Sequence, residues 1–204
     1  RKTLRDFSLT DVNLDLREGE VHAITGENGS GKSLLMRMLS GWYTPDSGTI
    51  AFRPDLDRRN VSYVDQDAQT FDNLSVAENV FFNRFPSRLG LPFVIDRLRL
   101  VSECRGVFDE LEVGIDPEAS MARLGYEERQ LVTVARGYVD ASAITVFDAS
   151  TSAMTDINRA MVLDIIRRVR ERRGGVFFIS HRVDEILSVA DRVTVIDQGN
   201  VVTT

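Results

Sequence analysis

Apolar residues recur along this chain in two periods, and the switches between them mark out its architecture. Before residue 19 the pieces are short and alternating, Phe7-Ser8-Leu9 and Val12-Asn13-Leu14-Asp15-Leu16, which predicts half-buried antiparallel strands. The turn Arg17-Glu18-Gly19-Glu20 then leads into Val21-His22-Ala23-Ile24-Thr25, a predicted buried strand in whose interior His22 is expected to be structural. Leu34-Leu35-Met36-Arg37-Met38-Leu39 predicts a helix that Gly41 ends. Turn chemistry at Tyr43-Thr44-Pro45-Asp46-Ser47-Gly48 precedes a predicted strand Thr49-Ile50-Ala51-Phe52, and Val61-Ser62-Tyr63-Val64 predicts another. From about 68 to 139 the period turns helical, with breaks at Pro86, Gly90, Pro92, Gly106 and the 114–117 turn, as expected of a helical lobe inserted into a sheet domain.

The strand pattern resumes at Ala143-Ile144-Thr145-Val146-Phe147-Asp148, a continuous apolar run of the kind central parallel strands show. Residues 158–173 are amphipathic at helical spacing through Met161, Ile165, Ile166 and Val169, and Gly174-Gly175 closes them. Val176-Phe177-Phe178-Ile179-Ser180-His181 is a second buried strand ending in a polar pair. A helix over 183–189 and a last long strand Arg192-Val193-Thr194-Val195-Ile196-Asp197 follow, before the turn Gln198-Gly199-Asn200. Strands alternating with helices predict an α/β fold with a mainly parallel sheet, and such a sheet gathers ligands at its carboxyl edge.

Four features fall at that edge. Gly26-Glu27-Asn28-Gly29-Ser30-Gly31-Lys32-Ser33 fits G-x-x-x-x-G-K-[ST] at every fixed position, between a predicted strand and the helix that Leu34 opens. The glycines let successive backbone N–H groups converge on phosphate oxygens, and the helix N-terminus adds partial positive charge. Lys32 is expected to reach the β and γ phosphates of a nucleoside triphosphate, and Ser33 to offer its hydroxyl to Mg²⁺. Asp148 suits a buried carboxylate that holds Mg²⁺ through water; taken alone it is also a helix N-cap or turn aspartate. Gln66 could contact the metal or the attacking water through its amide, although by itself it is an ordinary surface glutamine. His181 could hydrogen-bond a γ phosphate, against the alternative of a satisfied histidine at a strand end.

Composition narrows the partners. With 204 residues, 43% apolar and 27% charged, the chain suits one α/β domain with a substantial core. A net charge of -6 argues against a nucleic-acid partner. Cys104, the single cysteine, excludes an internal disulfide or cysteine-based zinc site and is expected to be a buried small hydrophobe. No apolar run approaches the ~18 to 20 residues of a membrane span, so membrane association is expected through a partner. The start at Arg1 and the stop after Val201-Val202 lead us to expect an excised part of a longer protein. The arginines 167, 168, 170, 172 and 173 are expected to form a solvated face opposing a helix dipole, with acidic headgroups or RNA as the alternative.

The order of motifs resembles the nucleotide-binding cassette of ABC transporters over essentially the whole chain. It runs from the glycine loop to Gln66, then Leu124-Gly125-Tyr126-Glu127-Glu128-Arg129-Gln130, Asp148, Thr151-Ser152-Ala153-Met154-Thr155, and Ile179-Ser180-His181-Arg182. Gly19-Glu20-Val21-His22-Ala23, Pro45-Asp46-Ser47-Gly48 and the extension through Val183-Asp184-Glu185 look most like the first cassette of ATPases driving bacterial monosaccharide importers. The resemblance implies a P-loop ABC-type ATPase core with a mainly parallel sheet, an antiparallel β subdomain and an inserted helical subdomain. It implies a single domain over 1–204, with 1–67 and 140–204 as core and about 68–139 as the helical lobe. It implies ATP with Mg²⁺ as ligands, with Ser33, Gln66 and Asp148 toward the metal and Gln66 and His181 toward the chemistry. Its partners would be a second cassette, membrane permease subunits and, indirectly, a substrate-binding protein, at the cytoplasmic face of the cell membrane. Gln66 would sit near the groove that receives the permease, and the aromatic residue that stacks on adenine in this family is expected before residue 1.

The chain departs from the family pattern at two places. Ala149-Ser150 replaces Glu-Pro after Asp148, removing the glutamate that polarises the attacking water, a role worth roughly 10²- to 10⁴-fold. In the signature, usually Leu-Ser-x-Gly-Gln/Glu, Gly125 replaces the serine and Glu127 the glycine that should come close to phosphate. The expectation is therefore a site that binds ATP and hydrolyses it weakly. The alternatives are an active ATPase relying on a partner cassette, or a non-transport ABC protein acting as a nucleotide-dependent clamp. The latter would carry a basic arm or long coiled-coil insert that the sequence does not show.

Overall fold

The computed structural model describes residues 1–204 apart from 5, 6, 83, 89, 90, 141, 150 and 153, and apart from the side chains of 91–93. The expected break at Gly90 and the residues Ser150 and Ala153 of the quoted motifs lie outside the described residues.

The runs predicted as buried strands form the centre of the sheet. Val21–Thr25 (β3) lies between Gly175–Ile179 (β8) and Arg192–Asp197 (β9), parallel to both; Ile144–Asp148 (β7) follows β8, and Val61–Val64 (β4) follows β7, again parallel. A sixth strand, Asn200–Thr203 (β10), folds back antiparallel on β9, giving the order β10-β9-β3-β8-β7-β4. The carboxyl ends of β3, β4, β7 and β8 therefore share one edge, which brings the glycine loop, Gln66, Asp148 and His181 to the same side.

Both faces of this sheet are covered. Phe147, Val176 and Phe178 face a cluster completed by the helices Arg97–Leu111 (α3), Tyr126–Val139 (α4) and Asp156–Glu171 (α5). Val146, Phe177 and Ile179 face a smaller cluster with Ile24, Ile196 and Met36, the last from Lys32–Leu39 (α1). Alternate residues of β7 and β8 thus enter opposite cores, which is why these strands are apolar without interruption. Cys104 is fully buried in the larger cluster, where burial pushes its thiol up to about 12, as expected of a packing residue.

Three predicted elements differ. Lys2–Leu4 (β1) and Phe7–Leu9 (β2) do pair antiparallel, but 12–16 and 49–52 form no strand. Residues 12–16 keep their alternation in burial, and Leu14 and Leu16 pack on the smaller core without a ladder partner. The two segments instead line a cavity of about 940 Å³ with Leu35 and Leu39. Within the stretch predicted helical, Ser87–Arg88 (β5) and Leu91–Ile95 (β6) form a small antiparallel hairpin, where Val94 and Ile95 follow a proline that a helix interior would not accept. The stretch also holds the short helix Val76–Val80 (α2), capped by Ser75 and Glu78, and one 3-10 turn at Met121–Arg123. Finally, β10 extends the sheet past the Gln198-Gly199-Asn200 turn, where no strand was expected.

The arginines closing α5 do form a largely solvated face, with 170, 172 and 173 exposed, and several of them also make pairs. Arg168 pairs with Asp164, Arg170 with Asp191, and Arg172 with Glu110 while lying 3.9 Å over the Tyr138 ring; Arg167 donates to Ser188 O. His22 is fully buried, with Nε2 2.7 Å from Thr194 Oγ1 and Nδ1 3.0 Å from Asp15 O, so its role is structural as the sequence suggests.

Candidate functional site

The glycine loop is held from both sides, and its glycines are there for lack of space as well as for their backbone angles. Gly26 has φ 142°, and a Cβ on it would lie 1.9 Å from Ile196 O. Gly31 has φ 101°, and a Cβ there would meet Phe7 and Leu9 at 2.7 Å. At 26 a side chain would have to displace the β9 backbone, whereas at 31 it would meet side-chain tips and the positive φ is what favours glycine. Ser30 is buried at the loop's centre, and its carbonyl accepts from Gly199 N at 3.2 Å. The loop between Thr25 and α1 is therefore a rigid strand–loop–helix turn, the context in which this motif cradles phosphate.

Lys32 crosses this loop, donating to Gly26 O at 2.8 Å, Glu27 O at 2.7 Å and Ser30 Oγ at 3.3 Å. Burial lowers its pKa, and the Asp148 carboxylate opposes that shift. Ser33, in the first turn of α1, donates to Asp148 Oδ1 at 3.1 Å. Asp148 is 2% exposed, and its Oδ2 accepts from Tyr63 OH at 2.5 Å. Burial raises the Asp148 pKa, and the two hydroxyl donors act against it.

This donor set fits magnesium. A serine hydroxyl and one carboxylate are hard oxygen donors, and Mg²⁺ characteristically uses one or two protein oxygens together with phosphate and water. Among the described residues no cluster of three or more His, Cys, Asp or Glu offers a self-sufficient metal site.

Gln66 and His181 lie at the same sheet edge, both exposed, and among the described residues no hydrogen bond joins either side chain to Lys32, Ser33 or Asp148. The Gln66 carbonyl accepts from Tyr126 OH at 3.2 Å and from Gln130 Nε2, so the first turns of α4 reach the loop after β4. The loop that ends in His181 is set by Glu185 in Val183–Val189 (α6). This buried carboxylate accepts from Ser180 Oγ at 2.6 Å and Thr151 Oγ1 at 2.9 Å, and lies 3.3 Å from Arg182.

Ala149 follows Asp148 with φ 45°, its N–H donating to Ile179 O at 3.0 Å. A methyl group there offers neither proton transfer nor charge. At the head of α4, Gly125 N donates to Glu128 Oε2 at 2.8 Å. Glu127 accepts from Asn158 Nδ2, from Thr155 Oγ1 at 3.0 Å and from Thr155 N at 3.3 Å, and these bonds, Asn158 first, hold its carboxyl below the usual range. Its charge is thereby committed to the start of α5.

The sequence reading missed Tyr63, Glu185 and the clamp made by Glu127. Tyr63 carried one signal, because a tyrosine in a half-buried strand must still place its hydroxyl.

Comparison with known proteins places these features. The family model described as ABC transporter matches residues 9–152. The ribose import ATP-binding protein RbsA 2 of Streptomyces coelicolor is 37% identical over 201 residues, covering 94% of this chain and 38% of that protein. The galactose/methyl galactoside import ATP-binding protein MglA of Escherichia coli is 33% identical, over 97% of this chain and 40% of that one. The chain thus spans about two fifths of the length of these relatives. Among solved structures, a nucleotide-free ATP-binding cassette from an ABC transporter superposes with a TM-score of 0.82 at 20% identity, covering 99% of this chain and 87% of the other. An ATP-binding subunit of an ABC transporter superposes with a TM-score of 0.79 at 18% identity, over 96% and 82%.

Proposed function

Since the chain belongs to the ABC transporter family of ATPase domains, we propose that it is an ATP-binding cassette of an importer whose cargo is a sugar, and that its own site binds Mg-ATP but hydrolyses it weakly. The observation that carries this reading is the contrast at one sheet edge. Gly26, Gly31, Lys32, Ser33 and Asp148 come together, the groups that on this reading cradle phosphate and metal, while Ala149 stands beside them without a carboxylate. The main-chain N–H groups of 27–33 bind and orient the phosphates, Lys32 adds its charge, and Leu34 continues the helix whose N-terminus faces them. Magnesium, when bound, neutralises phosphate charge, and Ser33 and Asp148 are the residues that would hold it, with Gln66 nearby. His181 is the candidate donor to the terminal phosphate.

The sugar and the transport role rest on the printed names of the relatives. On this reading 1–204 is one cassette, with about 68–139 as the helical lobe. It works against a second cassette and permease subunits at the cytoplasmic face of the membrane, with a binding protein delivering cargo. Closure of the cassettes, more than turnover at this site, is its contribution. Among the described residues no helix is long and apolar enough to cross a membrane; on this reading the permease attaches it.

The test has two arms. Titration with Mg²⁺ and a non-cleavable ATP analogue should protect the amides of 26–33 from hydrogen exchange; protection elsewhere, or no binding at millimolar analogue, ends the nucleotide reading. Affinity purification of the full protein should retrieve a multi-span permease, whereas ribosomes in its place would favour the clamp.

A further inference from the structure

Asp148 is held by two hydroxyls that come from different elements. Ser33 Oγ, on α1, donates to Oδ1 at 3.1 Å, and Tyr63 OH, on β4, donates to Oδ2 at 2.5 Å. β4 runs parallel to β7 with Tyr63 opposite Val146, two residues before Asp148, so the phenol reaches along the sheet to the strand's last residue. The Tyr63 ring is in turn fixed, its centroid 5.5 Å from that of Trp42. Arg37, whose guanidinium lies 5.5 Å from the Trp42 ring centre, pairs with Asp65 at 3.3 Å on the same side.

A carboxylate with one oxygen tied can still turn about its Cβ–Cγ bond; tied at both oxygens, it has one orientation. Ser33 gives its hydrogen to Oδ1 and so keeps its lone pairs for a cation. The two carboxylate oxygens are equivalent, so what the second tie sets is the plane of the group: Tyr63, bonded to Oδ2, holds that plane while Oδ1 meets Ser33. Partners of this kind, one bond removed from a metal ligand, characteristically set ligand orientation.

We propose that Tyr63 is a positioning residue for the metal site, its hydroxyl fixing the plane of the Asp148 carboxylate so that Ser33 and Asp148 together present oxygens to Mg²⁺. This rests on the nucleotide-binding reading above and goes beyond it, because it makes a residue outside the loop responsible for the magnesium dependence of binding.

The experiment measures affinity for the non-cleavable ATP analogue with and without Mg²⁺ in the full protein, for wild type, Tyr63→Phe and Trp42→Phe. Tyr63→Phe removes the hydroxyl and keeps the ring; Trp42→Phe disturbs the ring packing and keeps the hydroxyl. The strengthening of binding by Mg²⁺ should fall by about 10-fold in Tyr63→Phe, the lower end of what loss of such a partner costs. Mg²⁺-free affinity should not change, and Trp42→Phe should keep the wild-type magnesium dependence. A thermal melt of each variant checks that Tyr63→Phe is folded. Should Tyr63→Phe keep wild-type magnesium dependence, or lose affinity equally with and without the ion, the inference is wrong while nucleotide binding stands. An equal loss in Trp42→Phe would likewise overturn it, assigning the effect to packing. A wild-type protein that binds no nucleotide at all would remove both readings together.

Discussion

The glycine loop and the head of helix α4 would, in a working cassette, both meet phosphate, and in this chain they have taken opposite courses. At the loop, glycines stand at 26, 29 and 31, Lys32 is bonded to the loop's own carbonyls, and Ser33 donates to the buried Asp148. At α4 a carboxylate stands in the first turn, hydrogen-bonded to Thr155 and Asn158 at the start of α5. A helix N-terminus favours an anion, and here the chain supplies its own. The difference teaches that two helix heads of one fold can spend their N-terminal charge differently, one left open and one met from within. Glu127 ties α4 to the start of α5.

The largest effect should come from restoring the missing carboxylate. Ala149→Glu in the full protein is expected to raise ATP hydrolysis by roughly 10²-fold or more, within the range general-base catalysis supplies. The left-handed backbone at 149 (φ 45°) is already borne by Ala149, whose Cβ a glutamate shares, so the variant adds no backbone strain of its own there. An unchanged rate would mean that the partner cassette holds the only working site. Next in size, Lys32→Ala should weaken nucleotide affinity about 10- to 100-fold, as loss of a charged hydrogen-bond donor does; equal affinity by calorimetry would break the contrast from the loop's side.

A smaller effect tests the other side. Glu127→Ala should speed hydrogen exchange at the Thr155 amide and lower the melting temperature modestly, with ATP affinity unaltered. If it instead raised affinity of the loop, the two surfaces would not be independent. The smallest effect concerns the scaffold. Burial holds the His22 pKa below 6.5, so the neutral imidazole is the form the fold keeps. Its contribution is complete above 6.5 and is lost as pH falls through the depressed value, and thermal melts should show that loss. His22→Gln should flatten this part of the pH profile.

How much of this was legible in the sequence depended on whether a residue's neighbours were local. The glycine loop, β3, β7, β8 and β9 could be read because continuous apolar runs and a fixed motif state their own context. Asp148 could be placed because it ends such a run. Residues 12–16 and 49–52 misled because alternation reports half-burial, and burial can be met by packing on α1 and the sheet without a partner strand. The 87–95 hairpin was hidden in a helical stretch by its shortness. Tyr63 and Glu127 could not be assigned, since they act through partners 85 and 28 positions away, and Glu185 joins Thr151, 34 positions off, to its local partner Ser180. Only the folded chain brings those distances to zero.

The most direct test of a binding-competent, hydrolysis-poor site is single-turnover hydrolysis of ATP held by excess protein in the presence of Mg²⁺. The account predicts that ATP is bound through the 26–33 loop and remains uncleaved over many of the intervals in which an ordinary ABC cassette would turn over. Cleavage at the rate of such a cassette, with Ala149 in place and no partner cassette present, would contradict it.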